Sequence, residues 1–314
     1  MRGGTTRSRM VTAVALVLFV GGTVAAVVGW GLDISRDVSF IWAMIGLFVL
    51  SLTDVRRWAK GLFVDWLPFI GFLFAYDLAR GAADNLGIAP HTTAGIDFDK
   101  ALFGGQVPSN WLQDHLYNPF TVHWYDYIVF GVYMTHFFAT LVVAALLWRF
   151  AYPQFKRFRT MVLALAGAGF LTYALFPATP PWLAAQDGQL PAIHRVVGEV
   201  WGHVGVVSAQ TLFQSGSEYV NDVAAVPSLH AAFPLLITLF FWGMARGWQR
   251  VLLAAYPLAM GFTLVYGGEH YVLDVVLGWA YAVAVYAAVT GIEMIRGREA
   301  AASAIELSSS RVRA

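Results

Sequence analysis

Uncharged, mostly apolar stretches recur along this chain at lengths that suit a bilayer better than any soluble core. Six are bounded by charged residues on both sides: 10–32, 127–148, 160–186, 223–245, 251–268 and 275–292. A helix needs roughly 20 apolar residues to cross the hydrocarbon layer, where its backbone polar groups must be satisfied internally. A shorter run at 38–53 and a weaker one at 61–76, interrupted by Asp65, raise the total to eight. With 58% hydrophobic residues and only 12% charged, a soluble domain is excluded. The expected fold is all-α, a polytopic integral membrane helical bundle of about eight transmembrane helices. There is no cysteine, which rules out disulfides, thiolate metal ligands and a Cys nucleophile.

The net charge of +1 hides an asymmetry. Arg2, Arg7 and Arg9 precede the first run, and Arg56, Arg57 and Lys60 follow the second. Arg149, Lys156, Arg157 and Arg159 follow the fourth, Arg246 and Arg250 the sixth, and Arg296, Arg298, Arg311 and Arg313 the last. That places 16 of the 20 basic residues on one side, leaving Arg36, Arg80, Lys100 and Arg195 on the other. Loops rich in Lys and Arg stay in the cytoplasm, so both termini are expected inside a multi-pass plasma-membrane protein. The run at 10–30 reads as a retained anchor, because it is longer than the apolar region of a signal peptide. The expected organisation is N-terminal membrane helices at 1–80, an outer interfacial loop at 81–126, a catalytic membrane core at 127–292 and a cytoplasmic tail at 293–314. Trp111, Leu112, Leu116, Tyr117, Phe120 and Trp124 place the outer loop along the membrane interface, as a packed cap or a substrate gate. Three prolines within 177–181 end the fifth span, and a second outer loop of about 45 residues runs on to Asp222.

The chemistry concentrates in 266–278, where His270 and Asp274 lie four residues apart. On a helix that spacing brings both side chains to one face. A carboxylate bonded to one imidazole nitrogen fixes the tautomer and leaves the other nitrogen nucleophilic. His230 sits in Val226-Pro-Ser-Leu-His at the start of another apolar run, and the alternation of spans puts both histidines at outer ends. Both helix N-termini then point outward, where free N–H groups and the helix dipole favour an anion. Pro227 suits a first turn, and Ser228 can cap or donate. Such a site fits phosphoryl transfer: His270 attacks phosphorus, and His230 protonates the leaving group and then activates the incoming hydroxyl. His136, three residues after Tyr133 and near the middle of the fourth span, is either part of this site or a hydrogen-bonded core histidine. Gly267 and Gly268 read as the tight turn into the last span, and Gly278 as a helix-packing position.

Pro-Ser-Leu-His at 227–230 and His-Tyr-x-x-Asp at 270–274 resemble the second and third motifs of the type 2 phosphatidic acid phosphatase superfamily. Phe-Pro-x-x-Pro-Pro-Trp at 176–182, with Leu229 in place of the usual Gly, resembles its inositol phosphorylceramide synthase (aureobasidin-resistance) branch. The resemblance covers roughly 120–292. It implies a six-helix phosphatase-like core, with His270 as nucleophile, Asp274 as its partner and His230 as general acid. Two features depart from the phosphatases: the first motif is absent, and the third-motif Arg is Leu264 here. Both normally cradle phosphate, so that role passes to Ser228, Arg195, Lys100 or Arg80, with His136 and Tyr133 as further substrate contacts. The expected activity is transfer of a phospho-headgroup, with inositol phosphate implied by the resemblance, from a membrane phospholipid to a lipid alcohol. Hydrolysis of a lipid phosphate, with water as acceptor, is the alternative. A transporter, or a zinc site built from His136, His230, His270, Asp274 and Glu269, is the reading from another class. No cofactor, metal or nucleic acid is expected.

Overall fold

A computed structural model describes residues 6–30, 36–52, 54–83, 88–203 and 222–313. The first helices are α1 (Thr6–Trp30), α2 (Arg36–Leu50), α3 (Val55–Gly61) and α4 (Leu67–Ala83), the last two joined by a π-helical turn, Leu62–Trp66. Two short helices, α5 (Ala94–Leu102) and α6 (Pro108–Leu116), precede the long pair α7 (Trp124–Phe150) and α8 (Tyr152–Leu175). The short α9 (Pro181–Gln186) and α10 (Val196–His203) follow, then α11 (Leu229–Trp242), α12 (Trp248–Tyr266) and α13 (Val272–Arg313). Among the described residues there is no strand, only isolated bridges linking His91, Ala178 and Ala224. The all-helical polytopic architecture is as expected. Among the described residues, four helical stretches are long and apolar enough to cross a membrane: Val55–Ala75, Trp124–Phe150, Tyr152–Leu175 and Val272–Arg298. Met10–Ala26, Ile41–Leu50 and Leu229–Trp242 are apolar but shorter.

The fifth span begins at Tyr152 rather than 160, because its charged residues lie on the helix and not before it. Arg159 donates to Asp65, and Arg157 pairs with Glu293 at 2.8 Å. Paired and lying at the helix end, these cations need not break the helix.

α11 packs along α12 and α13, while α7 runs beside α2, α8, α10 and α12. The main core gathers Trp66, Phe69, Trp148, Phe155, Phe158, Met161, Leu165 and Leu236. Large apolar side chains such as Val142, Leu146, Leu171, Leu258 and Val283 face outward, as lipid contact requires. Buried polar groups collect mainly at the two ends of the bundle. At the basic end, Asp65 accepts hydrogen bonds from Trp148 Nε1, Tyr152 Oη and Arg159 Nη1, each at 3.0 Å. This ties the π-helical turn to α7 and α8. Asp65→Ala would leave the Arg159 charge uncompensated at a partly exposed site, an expected loss of about 2–3 kcal/mol. Thermal denaturation of the protein in detergent reads that loss, with a smaller effect for Asp65→Asn.

Candidate active site

At the opposite end, α11, α12 and α13 bring the two sequence motifs together. Ser228 is the N-cap of α11, its Oγ accepting from Ala231 N–H at 3.3 Å. Its own N–H donates to the Asp274 carbonyl at 3.0 Å, and Tyr173 Oη donates to the Pro227 carbonyl at 2.7 Å. Ser228 is fully buried, so the structure uses it as a cap and a tie. Pro227 lies before the cap rather than in the first turn. Gly278 faces this tie: a Cβ there would lie 2.2 Å from the Ser228 carbonyl oxygen. Gly278→Ala must push the two motif-bearing helices apart, and turnover is expected to fall on the order of 10²-fold. Steady-state kinetics on folded protein checks this.

His270 and Asp274 meet, though not on one helix face. α12 ends at Tyr266, the chain turns through Gly267 and Gly268, and His270 and Tyr271 precede α13. Asp274, in the first turn, reaches back: its Oδ2 accepts from Tyr271 N–H at 2.9 Å and lies 3.2 Å from His270 Nδ1. The pair is thus part of a helix cap, in which a third-position carboxylate serves the N-cap amide. Both residues are buried, Asp274 completely. The His230 ring, on the first turn of α11, lies 5.7 Å from the His270 ring. The His136 ring of α7 lies 3.9 Å from that of His230, tilted by 35°, and Tyr133 stacks against His230 at 5.1 Å. Three histidines, one tyrosine and one carboxylate therefore converge at one end of the bundle. Among the described residues no group of three or more His, Asp or Glu is placed to hold a metal ion.

The amides at the start of α13 are not available to an anion. Asp99 of α5 accepts from Val272 N–H at 3.1 Å and Leu273 N–H at 3.3 Å. With Tyr271 N–H taken by Asp274, protein carboxylates satisfy the α13 donors expected to help hold phosphate. Buried amides require partners, and here the fold supplies them. Burial pushes the Asp99 carboxyl up to about 6, opposed by the two amides and reinforced more weakly by Asp274.

Among the cations named from the sequence, Arg195 reaches this end of the bundle. It grips Glu269 with two hydrogen bonds, Nε to Oε1 at 2.9 Å and Nη2 to Oε2 at 2.8 Å. Its guanidinium lies 4.6 Å above the Trp182 ring. Leu264, at the family's arginine position, is fully buried, and its carbonyl accepts from Glu269 and His270 N–H. Lys100 is exposed on α5, at a surface pocket of about 300 Å³ shared with Gln106, Asn110, Asp114 and Gln189. Arg80 lies in α4, but its side chain is outside the described residues, as is the second outer loop over 204–221.

The first outer loop is a packed cap. Gln113 Nε2 donates to the carbonyls of His194 and Tyr266, both at 2.8 Å, and its Oε1 accepts from His194 N–H at 2.9 Å. The Phe176–Trp182 stretch stitches the outer segments together: Ala178 N–H donates to Val223, Thr179 N–H to His91 and Trp182 N–H to Gly268. Sequence reasoning missed Asp99 and Gln113. The one available signal was the polarity of α5, which exposes Phe98, Leu102 and Phe103 while burying Asp99.

A profile of the PAP2 superfamily matches residues 98–288, a span that begins within α5 and takes in α6 and both motifs. A phosphoinositol dihydroceramide synthase of Bacteroides thetaiotaomicron is 30% identical over 231 residues, covering 70% of this chain and 73% of that protein. No solved structure matches. With a relative of that identity and coverage and a family match over more than half of its length, this multi-pass membrane protein is an enzyme acting on lipid phosphates, and it belongs to the inositol phosphorylceramide synthase-like branch of the PAP2 superfamily.

Proposed function

We propose that the protein transfers a phospho-headgroup from a membrane phospholipid to a lipid alcohol through a phosphorylated His270. The observation that carries this reading is the His230–His270 separation of 5.7 Å, with Asp274 on the Nδ1 side of His270. Nδ1–H donates to Asp274, which leaves the Nε2 lone pair for attack. Nε2 forms a bond to phosphorus, the P–O bond to the diacylglycerol breaks, and His230 gives its proton to the departing oxygen. In the second step His230 takes the proton of the acceptor hydroxyl, whose oxygen attacks phosphorus as the P–N bond breaks. A single phosphoryl group, with about 3 Å to each imidazole, spans such a gap.

Arg195 stands as the cation nearest the phosphate, aimed by Glu269 and Trp182 in place of the arginine that Leu264 lacks. Tyr133 and His136 form the wall behind His230, where the substrate enters. Ser228 supports the site through the backbone. The name of the Bacteroides relative supports an inositol phosphate headgroup and a ceramide-like acceptor. The basic end of the bundle supports cytoplasmic termini and a site on the outer face of the plasma membrane.

Purified protein given phosphatidylinositol, with and without dihydroceramide, tests the reading. Headgroup transfer that depends on the acceptor supports it. Release of phosphoinositol without any transfer would make water the acceptor, release of inorganic phosphate from phosphatidic acid without headgroup transfer would replace the reading with a phosphatase, and uptake without phosphate chemistry would point to a transporter.

A further inference from the structure

We propose that Asp99 is a positioning residue of the catalytic centre, a second carboxylate that holds the first turn of α13 and through it the His270–Asp274 pair. The inference rests on the phospho-His270 reading above. Asp99 is fully buried and comes from α5, 173 residues away along the chain from Val272, whose N–H it accepts. α5 is seated as tightly as its sequence permits: a Cβ at Gly95 would lie 2.2 Å from the Tyr271 ring. Ile96 joins Val107, Ala184, Leu190 and Tyr271 in the cluster beneath. The outer face of the helix carries Phe98, Leu102 and Phe103. Asp97 and Lys100 share that outer face, so of the two carboxylates on α5 only Asp99 is turned inward.

A buried carboxylate is a costly cap, but it gives each amide its own oxygen, Oδ2 for Val272 and Oδ1 for Leu273, which the single side-chain oxygen of Ser or Asn does not. Its effect lies in what it spares Asp274. Asp274 Oδ2 is committed to His270 and Tyr271, while its Oδ1 is buried with no hydrogen-bond partner. Without Asp99, the Val272 and Leu273 amides are orphaned next to that oxygen. Rotation of Asp274 to satisfy them releases His270 from its tautomer and orientation. Asp99 thus keeps the nearer carboxylate facing the nucleophile.

The test is a double-mutant cycle on the full-length protein in detergent micelles with phosphatidylinositol and dihydroceramide. Asp99→Ala is expected to lower kcat on the order of 10²-fold, with KM for both lipids within about threefold of wild type. In the Asp274→Ala background the same change is expected to cost less than about twofold, because the residue it acts through is gone. A merely structural cap would give losses that multiply, and that result overturns the inference. Should Asp99→Ala fail to yield monodisperse protein, Asp99→Asn, which retains one acceptor, carries the test. Reduced kcat at unchanged KM supports the inference, and wild-type kcat overturns it. A wild-type protein without turnover overturns the proposed function and this inference together. An active wild type with an unaffected Asp99→Ala overturns this inference alone.

Discussion

His270→Ala is expected to abolish turnover, lowering kcat by at least about 10⁴-fold, and to eliminate any labelled phospho-enzyme. The neighbouring carboxylate cannot take over the proposed role, since Glu269 is bound through both oxygens to Arg195. The protein itself should survive the change. Asp274 Oδ2 keeps its hydrogen bond from Tyr271 N–H, so the lost partner costs about 1–3 kcal/mol. The measurement is labelling with headgroup-radiolabelled phosphatidylinositol quenched in alkaline denaturant, which preserves a P–N bond, beside a thermal melt that shows a shift of only a few degrees. Residual turnover within tenfold of wild type would remove His270 from the mechanism.

The second large effect is expected at His230, and it should depend on the leaving group. His230→Ala removes a general acid from the first step and a general base from the second, for a combined loss of about 10²–10⁴-fold with a natural phospholipid. A p-nitrophenyl phosphodiester departs without needing a proton, so its first step no longer requires His230. The variant should then release a burst of about one p-nitrophenolate per enzyme and stall as phospho-His270. Trapped intermediate on peptide mass analysis would confirm the division of labour. Equal loss on both donors would show that His230 acts by shape alone. His136, whose ring lies 3.9 Å from that of His230, is the control, since its own loss should slow both donors alike.

The helices were legible wherever apolar length decided the matter, and blurred wherever charge was read as a boundary. Lys156, Arg157 and Arg159 mark the end of an apolar run, yet they ride on α8, because Asp65 and Glu293 neutralise two of them. The His270–Asp274 partnership was visible in the spacing, but its form was not. Four residues fit a helix face, and they fit equally well a cap that folds back across the start of the helix. Lys100 drew attention as a cation in an apolar chain, while the neighbouring Asp99 turns inward. One residue on a helix is a rotation of about 100°, and no local pattern says which of two adjacent charges faces the core. The contacts of Asp99 and Gln113 close loops of 173 and 153 residues, beyond the reach of any local reading.

The contact between Gly278 and the Ser228 carbonyl bears on how such an enzyme can diversify. Because the spacing of the proposed catalytic histidines is set where two main chains touch, it does not depend on most of the side chains lining the rest of the chamber. Lineages can therefore remodel the walls for new headgroups and new acceptors while the reacting pair stays on the same ruler.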